Sequence, residues 1–74
     1  MPHNQFRVTL ETRDGRRVLT AAAEREAALM AESVLRRYEG EPFTVGFCVD
    51  CEDREASRRI AFYLTDLVLE LDLA

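Results

Sequence analysis

Two cysteines separated by two residues are the side chains in this sequence that most readily suggest chemistry. Cys48 and Cys51 form a C-x-x-C motif at the junction of a predicted strand and a predicted helix, where thioredoxin-like redox centres also carry theirs. However, Asp50, Glu52 and Asp53 surround the motif with negative charge, which raises the pKa of a thiol, whereas a reactive thiol needs a lowered one. A redox module is therefore an alternative, and two reduced, unreactive cysteines are the favoured interpretation.

The remaining residues complete neither a metal site nor a catalytic set. Two cysteines supply half of a structural zinc site, so Cys48 and Cys51 would need a second chain, or His3 folded back, to bind zinc. His3 is the only histidine, which leaves no conventional general base. The acids from Asp50 to Glu55 lack the glycine and the spacing of a calcium loop, and no glycine loop that binds phosphate is present. We expect no enzymatic activity and no cofactor.

The distribution of charge is more informative than these motifs. The chain has a net charge of −4; residues 1–37 carry seven arginines and five acids, whereas residues 38–74 carry three arginines and nine acids. Such an asymmetry favours a basic partner and disfavours general binding to phosphate backbones. A solvated acidic rim that keeps the protein soluble is the simpler alternative. The predicted partner-binding surface consists of Glu39, Glu41, Asp50, Glu52, Asp53 and Glu55.

The elements that must position these residues begin with a hairpin. Residues 6–12 alternate between apolar and polar side chains, as a half-buried strand does, and Asp14-Gly15 is a dipeptide that favours a type I′ turn. With these two residues in the turn, the predicted pairs are Arg13 with Arg16, Leu10 with Leu19 and Val8 with Ala21. The predicted inner face comprises Phe6, Val8, Leu10, Leu19 and Ala21.

The predicted hairpin tip concentrates positive charge. Arg13 would lie opposite Arg16, with Arg17 alongside, and like charges directly across a strand pair are destabilising. Such a tip suggests an anion-contacting finger, and hence a nucleic-acid binder as a further alternative function. Solvated side chains that reach Asp14 or nearby acids are the simpler interpretation. Because the arginines of the chain are scattered and its net charge is negative, we do not expect nucleic-acid binding.

Residues 22–39 have the apolar period of a helix. Gly40 and Pro42 supply its stop, while Glu24 near its start and Arg36 near its end suit the helix dipole. The stripe predicted to be buried comprises Ala27, Met30, Ala31, Val34, Leu35 and Tyr38.

A third strand and a second helix complete the predicted elements. Residues 43–49 alternate as a strand, and Asp53 is placed to cap the following helix. Residues 67–73 also alternate, so a fourth strand there is the alternative to a continued helix, which the leucine content favours. The predicted inward stripe of this helix is Ala56, Ile60, Tyr63, Leu64, Leu67 and Leu71, and the apolar residues outside it, which predict a dimer interface, are Phe62, Val68 and Leu69.

This order of elements predicts a small α+β fold: a two-layer β-β-α-β-α sandwich, with an antiparallel hairpin, a third strand and both helices on one face of the sheet. It forms a single domain over residues 1–74, of which residues 1–5 are predicted to be frayed. The helices would run parallel, so acids at the start of the first would face arginines at the start of the second, namely Glu24 and Glu26 against Arg54 and Arg58. An antiparallel pairing of second helices across a dimer would match the charges equally well.

In size, acidity and layout the chain resembles some small phage-encoded inhibitors, anti-CRISPR proteins among them. The resemblance lies in the hairpin FRVTLETRDGRRVLTA followed by the helix EREAALMAESVLRRY; it spans most of the chain and includes no diagnostic motif. It implies an inhibitor that presents an acidic surface to a protein with a basic nucleic-acid channel.

We therefore expect a non-enzymatic protein–protein interaction module, an inhibitor or an adaptor, that docks on a larger protein. The apolar run from Ile60 to Leu64 is too short to cross a bilayer, and the first residues contain no apolar core of a secretion signal. We thus expect a cytoplasmic protein without a membrane partner. A domain of 74 residues buries only a modest core, which favours a homodimer.

Overall fold

The computed structural model describes residues 5–40 and 46–71 and shows a two-layer α+β fold. A three-stranded antiparallel sheet has the strand order β2-β1-β3, and two helices pack on one of its faces, which confirms the predicted fold class. The elements are β1 (Phe6–Thr12), β2 (Gly15–Ala21), α1 (Glu24–Leu35), a 3-10 turn (Arg36–Tyr38), β3 (Gly46–Asp50) and α2 (Arg54–Glu70).

Strands β1 and β2 pair in a register that differs by two residues from the predicted one. Leu10 lies opposite Arg17 instead of Leu19, and Val8 lies opposite Leu19 instead of Ala21. A shift of two residues leaves every side chain on its own face, because side chains alternate with a period of two. The predicted inner face is therefore correct: Phe6, Val8, Leu10 and Ala21 are buried and Leu19 packs against them.

The turn explains the different register. Arg13 and Asp14 occupy it, whereas Asp14 and Gly15 were predicted to do so. The hydroxyl of Thr12 accepts a hydrogen bond from the backbone N–H of Asp14 and donates one to the carbonyl oxygen of Gly15, both at 3.1 Å. Gly15 follows the turn with a φ of +116°, a conformation that costs glycine little and other residues more. The turn, held by the side chain of Thr12, thus lies one residue closer to the N-terminus than predicted.

Helix α1 is shorter than the predicted span of residues 22–39: it begins at Glu24, and its last turn tightens into the 3-10 turn. Beyond it, Gly40 adopts a φ of +80° and its N–H donates a hydrogen bond to the carbonyl oxygen of Leu71 (3.0 Å). This bond ties the end of α1 to the end of α2. The predicted stripe is confirmed: Ala27, Ala31, Val34, Leu35 and Tyr38 are buried, and Met30 is half-buried against them.

Strand β3 pairs antiparallel with β1 and forms the second edge of the sheet, with Phe47 opposite Leu10 and Val49 opposite Val8. Helix α2 then continues to Glu70, so the alternative of a fourth strand from residue 67 is wrong. A helix satisfies its own backbone hydrogen bonds and buries the leucines of this segment on one face. Several predicted features lie outside the described residues: residues 1–4 of the segment 1–5 that was predicted to be frayed, the predicted strand start at 43–45, and residues 72–73 of the alternating segment.

The helices run parallel and define two ends of the molecule. Glu24 at the start of α1 contacts Arg59 in the first half of α2, and the helix ends meet at Gly40 and Leu71. We call the end with the helix N-termini the cap end, and the end with the hairpin turn and the helix C-termini the turn end. The most deeply buried large side chains lie between sheet and helices: Val8, Leu10, Leu35, Ile60 and Leu64. In the described part of the chain, neither helix is long and apolar enough to cross a membrane.

Candidate functional site

The two cysteines lie on opposite faces of the sheet. Cys48 is exposed on the open face, beside Thr9 of β1. Cys51 follows β3 and packs against the hydrophobic core, and its thiol donates a hydrogen bond to the carbonyl oxygen of Asp53 (3.1 Å). Both thiols are free. Side chains directed to opposite faces do not bridge without backbone movement, so this geometry gives no support to a redox pair.

The described chain supplies no additional ligands for a metal ion. Across residues 5–40 and 46–71, no three His, Cys, Asp or Glu side chains are grouped closely enough to hold a metal ion. His3, the third ligand considered for zinc, lies outside these residues. Because Cys48 and Cys51 point to opposite faces of the sheet, each chain could contribute at most one thiol to a zinc site shared by two chains on a given face.

Four of the six predicted acidic residues come together where β3 meets α2, at the cap end. Asp50 ends β3 opposite Arg7 of β1, and three further acids follow at the start of α2. Glu39 instead lies at the turn end, directly after the 3-10 turn, and Glu41 lies outside the described residues. Folding thus groups only part of the predicted surface. We call this group the acidic junction: Asp50, Glu52, Asp53 and Glu55.

Within the acidic junction, Asp53 has a structural task and the other carboxylates do not. As predicted, Asp53 caps α2, because its Oδ1 accepts hydrogen bonds from the N–H groups of Glu55 (3.0 Å) and Ala56 (3.2 Å). Asp50, Glu52 and Glu55 are exposed, and none of them forms an ion pair with another described residue. The positive end of the helix dipole favours negative charge at this position. Three carboxylates are therefore available to a partner.

Two acids of α1, Glu24 and Glu32, are used internally. Glu24 accepts two hydrogen bonds from the guanidinium of Arg59 (2.7 and 2.8 Å), and these hydrogen bonds lower the pKa of Glu24 and raise that of Arg59. The predicted partners of Glu24 were Arg54 and Arg58. Arg59 takes their place because it lies on the side of α2 that faces α1.

A second link between the helices involves Tyr63, which was predicted to point into the core. Its hydroxyl donates a hydrogen bond to Glu32, and the side chain is partly exposed beside α1. This hydrogen bond and the ion pair with Arg36 (2.7 Å) lower the pKa of Glu32. The same hydrogen bond, together with partial desolvation, raises the pKa of Tyr63. These groups join α1 to α2 and are not available for binding.

The outward side of α2 carries two of the three residues predicted to form a dimer interface. Phe62 is 65% exposed and Leu69 is 66% exposed, and their spacing of seven residues places both on one side of the helix. Val68 is only 7% exposed and belongs to the core, so its assignment to the interface is wrong. The buried side of α2 thus includes Val68 and leaves out Tyr63, which had been predicted to lie there.

The hairpin tip differs from the predicted cluster of facing arginines. Arg16 lies opposite Glu11, and the two side chains form an ion pair at 2.9 Å. Arg13 lies over the ring of Tyr38, 5.9 Å from its centroid, while the hydroxyl of Tyr38 donates a hydrogen bond to Asp14 (2.7 Å). The register shift therefore replaces a repulsive pair with an attractive one.

Sequence reasoning missed a fourth arginine at this end. Arg37, in the 3-10 turn, lines the same groove as Arg17 of the hairpin. The sequence feature that could have indicated this position is the helix stop at Gly40, since a helix that ends there places Arg37 at the turn end of the sheet.

Comparison of the chain with models of protein families, with curated proteins and with solved structures finds no significant match.

Proposed function

We propose that this protein is a non-enzymatic interaction module that docks its acidic junction on a basic surface of a larger protein. The observation that carries the proposal is the group of exposed carboxylates of Asp50, Glu52 and Glu55, which have no ion-pair partner among the described residues. Glu11, Glu24 and Glu32, by contrast, are each paired with an arginine. A grouped and unpaired set of charges at one end of a molecule is suited to recognition.

Complementary charge acts chiefly on the rate and the specificity of association. An acidic patch accelerates encounter with a basic surface and opposes binding to acidic ones. The carboxylates of the acidic junction lie around the start of α2 that Asp53 caps, an arrangement that suits a concave basic site such as a nucleic-acid channel. An inhibitor that occupies such a channel, as the resemblance to phage-encoded inhibitors implies, is the form of this function that we favour.

We also propose that the partner is met by a homodimer formed through α2. On its outward side, Arg58 and Asp66 lie four residues before and four residues after Phe62. Neither of these two charged residues forms an ion pair with a described residue. When two such helices pair antiparallel about Phe62, each Arg58 lies level with Asp66 of the other copy. Self-complementarity of this kind is what a two-fold interface requires.

Charge reversal tests the docking surface. The variant Glu52→Arg/Glu55→Arg is expected to lose the proteins that the wild type captures from a cell lysate, as measured by quantitative mass spectrometry. The matched control, Glu39→Arg/Glu70→Arg, changes the net charge equally at the turn end and is expected to retain them. Both pairs are exposed, so each variant should fold, which circular dichroism verifies. Capture of the same proteins by wild type and both variants would contradict the proposal.

A further inference from the structure

Four arginines from two separate elements converge on one groove at the turn end of the molecule. Arg13, Arg16 and Arg17 come from the hairpin and Arg37 from the 3-10 turn, and the groove that they line has a volume of about 390 Å³. No local sequence motif marks this group, because the chain passes through all of α1 between Arg17 and Arg37.

The groove is held in shape by hydrogen bonds between the hairpin and the 3-10 turn. The hydroxyl of Tyr38 donates a hydrogen bond to Asp14 Oδ2 (2.7 Å), and its oxygen lies 3.4 Å from the hydroxyl oxygen of Thr12. The ring of Tyr38 is buried, so this residue anchors the hairpin tip to the helical layer. Gly15 forms part of the wall, and a Cβ there would meet nothing within 4 Å, so its backbone is open to a ligand.

Two of the four guanidinium groups remain available. Arg16 is paired with Glu11 and Arg13 lies 3.9 Å from Asp14. Arg17 and Arg37, in contrast, are exposed and form neither a hydrogen bond nor an ion pair with any residue of the described segments. Arg17 extends from the helix-covered side of the sheet, since it lies opposite the buried Leu10, and Arg37 comes from the layer above it. Two unpaired cations therefore face one groove from different elements.

We propose that this groove binds a phosphate monoester. The planar guanidinium group donates parallel hydrogen bonds that match the oxygens of a phosphate, and two such groups balance the two negative charges of the dianion. The volume exceeds what a phosphate alone needs, so it also admits the organic group that carries the phosphate. Asp14 also lines the groove, but its carboxylate already accepts a hydrogen bond from the hydroxyl of Tyr38.

A compact dianion fits this site better than a nucleic-acid backbone. Tight binding to a polymer needs a track of cations that contacts several successive phosphates. Here the arginines of the groove are confined to one end, Glu39 directly follows Tyr38 of its lining, and the chain as a whole carries a charge of −4. A small ligand experiences the local positive charge, whereas a long polyanion also experiences the surrounding acids. The site lies at the end opposite the acidic junction, so it is independent of the proposed docking function.

An NMR titration of the full chain with phenyl phosphate, at constant ionic strength, tests the proposal. The backbone amides of Gly15, Arg17 and Arg37 are expected to shift and to saturate together. The variant Arg17→Gln/Arg37→Gln should weaken binding by about tenfold or more, because it removes charge-assisted hydrogen bonds. The matched control Arg25→Gln/Arg54→Gln removes two exposed arginines outside the groove and should bind as the wild type does.

Parallel titrations distinguish the source of the phosphate. Inorganic phosphate should shift the same amides with lower affinity, and benzoate, a single-charged carboxylate, should bind more weakly still. A titration that does not saturate, or an equal loss of affinity in both double variants, would overturn the proposal. So would an oligonucleotide that binds more tightly than phenyl phosphate with an affinity that rises with its length, since that result would assign the groove to nucleic acid.

Discussion

Asp53 shows how one side chain serves both the fold and the candidate site. Its carboxylate caps α2 through the N–H groups of Glu55 and Ala56, and the same residue stands among the exposed acids of the acidic junction. Its sequence position already predicts this, because a capping side chain acts on residues two and three positions later. The cap fixes where α2 begins and hence the direction in which Glu52 and Glu55 leave the backbone.

Removal of this cap should lower stability measurably. Asp53→Ala leaves two N–H groups of the first turn of α2 without their side-chain acceptor, and is expected to reduce the free energy of unfolding by about 1 kcal/mol. Urea denaturation followed by circular dichroism measures the change. The neighbouring Glu52→Ala removes a carboxylate that forms no ion pair or cap in the described chain, and should change stability by less than about 0.5 kcal/mol. Equal losses in the two variants would show that charge, and not capping, is responsible.

At the scale of elements, α2 has one side committed to the core and another that is not. Ile60, Leu64 and Val68 face the sheet, whereas Phe62 and Leu69 are exposed. Large apolar side chains that recur on one exposed side of a helix favour contact with another surface. We propose a second copy of this chain as that surface, because the charges that flank Phe62 are self-complementary.

The proposed pairing of α2 predicts a mass in solution of twice the 8.5 kDa of the chain, measured by light scattering at micromolar concentration. Arg58→Glu should shift the protein toward the monomer, because it places an acid level with Asp66 of the second copy. Addition of Asp66→Arg should restore the dimer, since both copies then carry the exchanged pair. Leu29→Ser, which removes an exposed leucine from α1, is the control and should have no effect. A monomeric wild type would contradict the pairing.

Across the whole molecule, the acids differ in whether they link one helix to the other. Those between the helices, Glu24 and Glu32, stabilise the parallel packing of α1 and α2. Those of the acidic junction make no comparable contact in the described chain. Because exposed ion pairs contribute little individually, the hydrophobic core between sheet and helices supplies most of the stability, and the interhelical pairs adjust how stability responds to pH.

The pH dependence of stability that these pairs cause has a definite direction. The pKa values of Glu24 and Glu32 are lowered from 4.5 in the folded protein, so their contribution is fully present above pH 4.5 and is lost as the pH falls through the folded values. The variant Glu24→Gln/Glu32→Gln should therefore show a shallower loss of stability in acid than the wild type. Urea denaturation at a series of pH values below neutrality measures the slopes. A slope equal to that of the wild type would show that these pairs do not couple folding to protonation.

Some features of the candidate site can be predicted from the sequence, whereas others depend on the tertiary structure. The cap at Asp53 and the split of Cys48 and Cys51 between faces follow from local geometry. The separation of Glu39 from Asp50 does not follow from local geometry. One turn and one strand can carry charges that are close in the sequence to opposite ends of the molecule. For the same reason, the approach of Arg37 to Arg17 depends on the packing of α1 over the hairpin.

The sequence pattern predicts correctly which residues of β1, β2 and α1 face the core, since a period of two or of 3.6 residues follows from backbone geometry alone. It also determined the order of the elements and the start of α2. The hairpin register depends on hydrogen bonds of the Thr12 side chain within the turn, which the Asp14-Gly15 dipeptide does not reveal. Packing in the folded molecule sets which side of α2 is buried, with Val68 inside and Tyr63 exposed, and how the charges group at each end. Both of these last features depend on side-chain contacts between distant segments, such as Tyr38 with Asp14 and Arg59 with Glu24, and no local pattern specifies them.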